Sequence, residues 1–184
     1  HMVSDDEKQA LRAKNCRFGV DDTLLVYVAK WIPRKNHGFL IETLPHLPES
    51  FKLVLAGPKA VSGPLAARDA ELVEMAKRKA EELGVADRVQ ISSGFVENID
   101  DFYKMADVYL FPTKAEGLGT PMLESVACGA PVVANLIPGI TDAWIKNDEN
   151  GYISELNSQE FAEKIQKAAA FSTEQRPSES EKML

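Results

Sequence analysis

The stretch EGLGTPMLE, residues 116–124, places Glu116 and Glu124 at either end of a turn built from two glycines, a threonine and a proline. Glycines at 117 and 119 let backbone N–H groups approach a ligand closely. Thr120 suits a helix N-cap, Pro121 the first helical position and Gly129 the position just past the end, so a short helix is expected over 121–128. The positive end of that helix favours an anion such as a phosphate. Glu124, one turn in, would point beside the same opening, where a carboxylate can accept two hydrogen bonds from a ribose diol. Glu116 stands before the turn, opposite the anion. Its charge would repel a phosphate, so it is better placed to hold a sugar hydroxyl beyond it. The same residues would also serve an ordinary capped helix flanked by two solvated acids; the full spacing, directly behind the apolar run DVYLFP, favours the site.

Such groups need a scaffold that brings loops together. Six β-rich runs alternate with helical patterns: TLLVYVA (23–29), FKLVLAG (51–57), RVQIS (88–92), DVYLFP (107–112), PVVAN (131–135) and GYIS (151–154). The first, second, fourth and fifth are mostly continuous apolar runs, as in parallel strands covered on both faces. The pattern predicts an α/β fold with a doubly wound, Rossmann-like parallel sheet of six strands, whose ligands bind at the carboxyl ends of the strands. Between strands, residues 65–83 put Leu72, Met75, Ala76, Ala80 and Leu83 on one helix face, with a Glu74–Arg78 pair on the other and a stop at Gly84. The last helix opens on NSQE, where Asn157 can cap and Glu160 reciprocate, and it buries Phe161, Ile165, Ala168 and Ala169.

The organisation expected is a ligand-binding domain over 21–171. Residues 1–20 precede it as a scar-like His-Met and a helical lead-in (DEKQALRAK), and a polar, Pro-containing tail over 172–184 is expected to be disordered. The opening His-Met suggests a piece cut from a longer protein. The 184 residues are 45% hydrophobic and 27% charged, enough for one domain with a sizeable core. A net charge of −7 argues against a nucleic-acid surface, which needs clustered Lys and Arg. No signal peptide or membrane-length apolar run is present. Cys16 and Cys128 have no CxxC partner and read as free thiols in a reducing cytosol, so a cytoplasmic location is expected. His37 and His46 have no metal-ligand spacing and read as ordinary residues near the first helix, and no Asp-x-Asp motif is present.

EGLGTPMLESVACGAPVVA resembles the glutamate–seven–glutamate segment of the retaining, family-4-like glycosyltransferases of GT-B fold (glycosyl transferases group 1), which use nucleotide-sugar donors. ADVYLFPTKAEG resembles the family's approach to it, and the similarity runs from about Asp22 to Leu156. The resemblance implies the C-terminal, donor-binding half of a GT-B enzyme, with Glu116 on the donor sugar and Glu124 on the ribose. VYVAKWIPRKNHGFLIE looks like the segment whose Arg and Lys grip the donor diphosphate; Lys30 takes the place of the Arg and Lys35 that of the Lys. Ala29 and Lys30 depart from the usual Gly-Arg, and lysine keeps the charge without the bidentate geometry. Arg34 is left as surface, and a solvated basic loop is the plain alternative.

The catalytic set implied is therefore Glu116, Lys30 and Lys35, and the donor-binding set Glu124, Gly117, Leu118, Gly119 and Thr120. Gly57 in LAGP joins the latter as a residue lining the cleft, or serves a plain turn. SSGFVENIDDFYKMAD resembles the segment beside the base, making Gly94, Phe95 and Val96 base-pocket candidates, with core packing the alternative for Phe95. LIPGITDAWIKNDENGYI lacks that family's Pro-Glu, and Asp142, nearby, takes no role. No metal or other cofactor is expected: the lysines and the helix end would take the metal's part on the departing diphosphate.

The function implied is transfer of a hexosyl group from a nucleotide sugar to a sugar or lipid-linked acceptor. The acceptor-binding half would precede residue 1 and would carry any peripheral membrane contact, and the isolated domain should bind donor yet turn over poorly. Glycoside hydrolysis by the two glutamates would leave the phosphate-binding features without purpose. A dehydrogenase would place GxGxxG where Ala29-Lys30 stands. A nucleotide-sugar epimerase and a non-catalytic nucleotide-sugar-binding module stay open, and residues upstream of this chain would separate them from a transferase.

Overall fold

A computed structural model describes residues 3–174. Its six strands are β1 (Thr23–Val28), β2 (Phe51–Ala56), β3 (Val89–Ile91), β4 (Val108–Phe111), β5 (Val132–Asn135) and β6 (Gly151–Ser154). All neighbouring pairs are parallel, in the order β3-β2-β1-β4-β5-β6. The expected six-stranded, doubly wound sheet is thus present, with β1 and β4 side by side where the strand order reverses. In β1, residues 24–28 are all buried, as are the whole of β4 and β5, which is why these strands read as mostly continuous apolar runs.

Among the described residues seven α-helices cover the sheet: α1 (Asp5–Asn15), α2 (His37–Thr43), α3 (Ala66–Glu82), α4 (Ile99–Met105), α5 (Thr120–Ala127), α6 (Thr141–Trp144) and α7 (Ser158–Glu174). α3 stops at Gly84, whose φ of +68° suits glycine, as expected. Its buried face is rotated from the one expected. Val73, Ala76 and Ala80 are inside, Leu72 is half-buried, and Met75 and Leu83 are exposed. The cause sits in the first turn, where the buried Asp69 accepts a hydrogen bond from the Ala60 N–H and fixes the helix about its axis. The outward charges pair as Glu71–Arg78 and Glu74–Lys77 rather than Glu74–Arg78.

In α7, Asn157 caps the Glu160 N–H at 3.0 Å, while Glu160 accepts from Glu155 instead of returning the bond to Asn157. Phe161, Ile165 and Ala168 form its buried stripe, with Phe161 edge-on to Phe39 of α2. α7 continues through Glu174, past the boundary expected at 171; the rest of the expected tail, residues 175–184, lies outside the described residues, as do residues 1 and 2.

The lead-in is helical, as read, and it is more than a lead-in. α1 packs on α4 and inserts Arg12, which is buried. That guanidinium donates to the carbonyls of Met105, Gly19 and Asp22 and pairs with Asp107 at 2.7 Å. Asp107 in turn accepts from the Leu24 N–H at the start of β1. Burial works to raise the Asp107 pKa, but Lys8 and Arg12 outweigh it and hold the carboxyl below its ordinary value. Helix and sheet are therefore one body through a charged joint that residue spacing alone could not reveal.

Candidate functional site

The crevice expected to bind a ligand lies outside the carboxyl ends of β1 and β4, where the strand order reverses. Residues 29–36 follow β1 and residues 112–119 follow β4, and the two loops are stitched together mostly by side chains donating to backbone carbonyls. The Arg34 carbonyl accepts from the Lys114 N–H at 2.9 Å and from the Thr113 hydroxyl at 3.2 Å. Arg34 Nη1 donates to the Ala115 carbonyl at 2.8 Å, and the Asn36 amide donates to that of Pro112 at 3.2 Å. Tyr27, inside β1, donates its hydroxyl to the Lys35 carbonyl at 2.8 Å. The Asn135 amide holds the Thr113 carbonyl from β5 at 3.0 Å. Arg34 is thus exposed, as read from the sequence, but it braces the loops rather than standing idle.

Across this seam the structure joins two of the expected catalytic residues. Lys35 Nζ lies 2.6 Å from Glu116 Oε2, with both side chains only about one-sixth exposed. The other Glu116 oxygen accepts from the Gly117 N–H at 3.2 Å. Partial burial pushes the Glu116 pKa up, and the Lys35 and Gly117 hydrogen bonds outweigh it, leaving the carboxyl below its ordinary value. Lys30 is not part of this pair. It is exposed at the end of β1, near enough to Asp69 to help hold that carboxyl low, after the Arg68 hydrogen bond that dominates there. Both lysines therefore face carboxylates: one in direct contact, one at longer range.

The turn itself departs from the expected capping by one residue. Gly119, not Thr120, is the N-cap: it adopts φ +71°, and its carbonyl accepts from the Met122 N–H at 3.1 Å. A side chain there would press on Met122, so the turn demands glycine. Thr120 becomes the first residue of α5 and is exposed, as are Gly117 and Leu118; beside Gly117 the space is open. Glu124, one turn into α5, is exposed and accepts a 2.9 Å hydrogen bond from the hydroxyl of Tyr103 in α4.

Gly57 follows β2 directly at φ +140°, and a Cβ there would sit 1.9 Å from the Ala29 carbonyl oxygen. Its requirement for glycine is explained by the close approach of β1. Gly94, Phe95 and Val96 follow β3 and line an open surface cavity of ≈ 470 Å³ with Asn98, Asp101 and Phe102. Phe95 is 87% exposed, which removes the core alternative.

His37, expected to be an ordinary residue beside the helix, is buried. Its ring stacks on Trp31 at 4.0 Å, and Nε2 lies 3.0 Å from the Ala29 carbonyl, the last residue before Lys30. Burial lowers its pKa to about 4, against the Ala29 hydrogen bond and with help from nearby Lys35. His46 is exposed, as read. The unfolded chain binds the His37 proton near pH 6.5 and the folded one near 4, so this contribution to stability is complete above about 6.5 and is lost as pH falls from there towards 4. About 2 kcal/mol should disappear between pH 7 and 5. Urea titrations at a series of pH values, compared with His37→Phe, measure it; the variant should show a flatter slope, and equal slopes would refute the assignment.

Sequence reasoning missed Tyr27, Arg34, Asn36, Thr113 and Tyr103. Only Asn36 carried a local signal, an asparagine directly before a helix, and its φ of +62° shows why asparagine suits the position.

Fold and site together define a doubly wound parallel α/β domain with cations, a glycine turn and two carboxylates at its switch point. The chain belongs to the glycosyl transferases group 1 family, whose model matches residues 8–180. It is 33% identical over 135 residues to a D-inositol 3-phosphate glycosyltransferase of Xylanimonas cellulosilytica, covering 73% of this chain and 30% of that relative. HepE of Anabaena, solved in complex with UDP and glucose, superposes with a TM-score of 0.78 at 22% identity, over 98% of this chain and 49% of HepE. The C-terminal domain of a group 1 glycosyltransferase, LpcC of Francisella tularensis, superposes with a TM-score of 0.74 at 20% identity, over 98% of this chain and 92% of that domain. The fold is therefore the Rossmann-like C-terminal half of the GT-B architecture, and the chain spans about 30% of its curated relative's length. Among the described residues no helix is long and apolar enough to cross a membrane.

Proposed function

We propose that this chain is the donor-binding half of a retaining glycosyltransferase that moves a hexosyl group from a nucleotide sugar to a sugar or lipid-linked acceptor. The observation that carries this reading is the Lys35–Glu116 pair at the switch point, one short turn away from Glu124. The diphosphate lies against Lys35, Lys30 and the N-terminus of α5, and replaces Glu116 as the counter-anion of Lys35. Glu116 is then free to accept from hydroxyls of the donor sugar. Glu124 takes the ribose diol, with Gly117, Leu118, Gly119 and Thr120 forming the wall between. Gly57 borders the cleft, and Gly94, Phe95 and Val96 receive the base, for which the exposed Phe95 ring offers a stacking face. The nucleoside diphosphate leaves and the acceptor hydroxyl enters on the same face. This half's main task is to stabilise charge on the leaving diphosphate. An acceptor-binding half completes the active site, so the isolated chain binds donor but turns over poorly.

The reading assigns no metal, because two lysines and a helix end supply the positive charge. Calorimetry with UDP, GDP and ADP, each with and without EDTA, tests it. At least one nucleotide should bind, with an affinity that EDTA leaves unchanged; loss of binding in EDTA would overturn the metal-free assignment, and no binding by any of them would overturn the donor site.

A further inference from the structure

Tyr103 lies in α4, whose Asp101 and Phe102 line the cavity beside Gly94, Phe95 and Val96, and it carries no role so far. Its ring is fully buried, edge-on to Tyr109 at 5.0 Å. Tyr109 is itself fixed to β1, donating its hydroxyl to the Val28 carbonyl at 3.1 Å and accepting from the Val28 N–H at 3.3 Å. The one polar atom of Tyr103 emerges at Glu124, donating to Oε2 at 2.9 Å. A buried phenol hydroxyl must find an acceptor, and here the acceptor is an exposed carboxylate on another helix. Burial and the neighbouring Tyr109 and Glu124 all raise the Tyr103 pKa, so the hydroxyl stays a donor.

An exposed glutamate samples many rotamers, and ordering it on a ligand costs entropy. A hydrogen bond from a rigid, buried donor removes that freedom in advance. It occupies one lone pair of Oε2 and leaves the rest of the carboxylate, about three acceptor sites, for hydroxyls. Resting on the assignment of Glu124 to the ribose, we infer that Tyr103 is a positioning residue. It holds the Glu124 carboxylate in the orientation that accepts the 2′- and 3′-hydroxyls, and so helps the domain select ribonucleotides over 2′-deoxyribonucleotides.

The experiment is calorimetry on the 184-residue chain with whichever of UDP, GDP or ADP binds most tightly and with its 2′-deoxy counterpart. Wild type, Tyr103→Phe, Glu124→Gln and the double variant are compared, with circular dichroism and thermal unfolding to confirm folding. Tyr103→Phe keeps the ring and should weaken the ribonucleotide roughly five- to tenfold, the loss of one hydrogen bond to a charged group. It should weaken the 2′-deoxynucleotide, which keeps only the 3′-hydroxyl contact, by a clearly smaller factor, and in the Glu124→Gln background it should add little. A purely structural role would weaken both nucleotides alike, and that outcome overturns the inference. So does wild-type affinity in Tyr103→Phe when Glu124→Gln is weakened. Wild-type affinity in Glu124→Gln would instead remove the ribose assignment itself, and the inference with it.

Discussion

On the proposed donor site, Lys35→Ala in a full-length enzyme is expected to lower kcat by about 10²–10³ while the domain remains folded. Lys35 is the cation that the structure places at the seam between the β1 and β4 loops, in contact with Glu116 and only partly exposed. Its removal acts twice in the same direction. The developing charge on the diphosphate loses a preorganised donor, a change that typically costs about 3 kcal/mol. The Glu116 carboxylate also loses its neutralising partner and faces the diphosphate as an unscreened negative charge. The chain's net charge of −7 offers no compensation from the background. Arg34→Ala is the control, since its side chain is exposed and gives one hydrogen bond to the Ala115 carbonyl. Losing one such bond is worth about 1 kcal/mol, a few-fold in rate. Circular dichroism establishes folding first, and steady-state kinetics on both variants then decide. Equal, small effects at the two positions would mean that the loop is a solvated basic surface.

Gly57→Ala should be the most destabilising single methyl that can be added near the site. The new Cβ would lie 1.9 Å from the Ala29 carbonyl oxygen and 2.5 Å from its carbon, both backbone atoms of the adjoining strand end. No rotamer relieves a backbone clash, and the φ of +140° is itself closed to alanine. β1 and β2, paired from Thr23–Phe51 to Val28–Ala56, would have to part at the end that carries Lys30. A loss of about 3–5 kcal/mol is expected, a large share of the stability of an ordinary domain. Gly19→Ala, where a Cβ meets nothing within 4 Å, should change stability by less than about 0.5 kcal/mol. Urea unfolding of the two variants makes the comparison, and a Gly57→Ala loss below about 1 kcal/mol would show that the strands can slide apart cheaply.

These two residues also show what the sequence could disclose. The strands were legible because parallel strands buried on both faces leave long apolar runs, and Leu24 to Val28 have no polar interruption. Glu116, Glu124 and the glycines between them were legible because the turn and the start of α5 are local, and local geometry has a local composition. Even there the cap moved from Thr120 to Gly119, because threonine's capping oxygen competes with a backbone turn that only glycine can make. The Lys35–Glu116 contact spans 81 positions and the Tyr103–Glu124 contact 21, and no spacing rule reaches either. Arg12 could not be distinguished from a surface residue of an amphipathic helix, since its burial depends on Asp107. His37 was misread for the same reason: the Trp31 ring that covers it is set in place by the loop fold.

The position of β1 in the sheet also bears on how the chain comes off the ribosome. β1 is hydrogen-bonded to β2 on one side and to β4 on the other, and its native partner on the second side begins only at Val108. At ordinary rates of translation, on the order of ten seconds separate the emergence of Val28 from that of Val108. Through that interval the nascent chain can pair β1 with β2 and β2 with β3, while a largely apolar strand keeps one row of amide and carbonyl groups open. Such an edge is a template for association with any other extended chain. Until β4 arrives, that edge is the part of the growing sheet most open to pairing with a neighbouring extended chain.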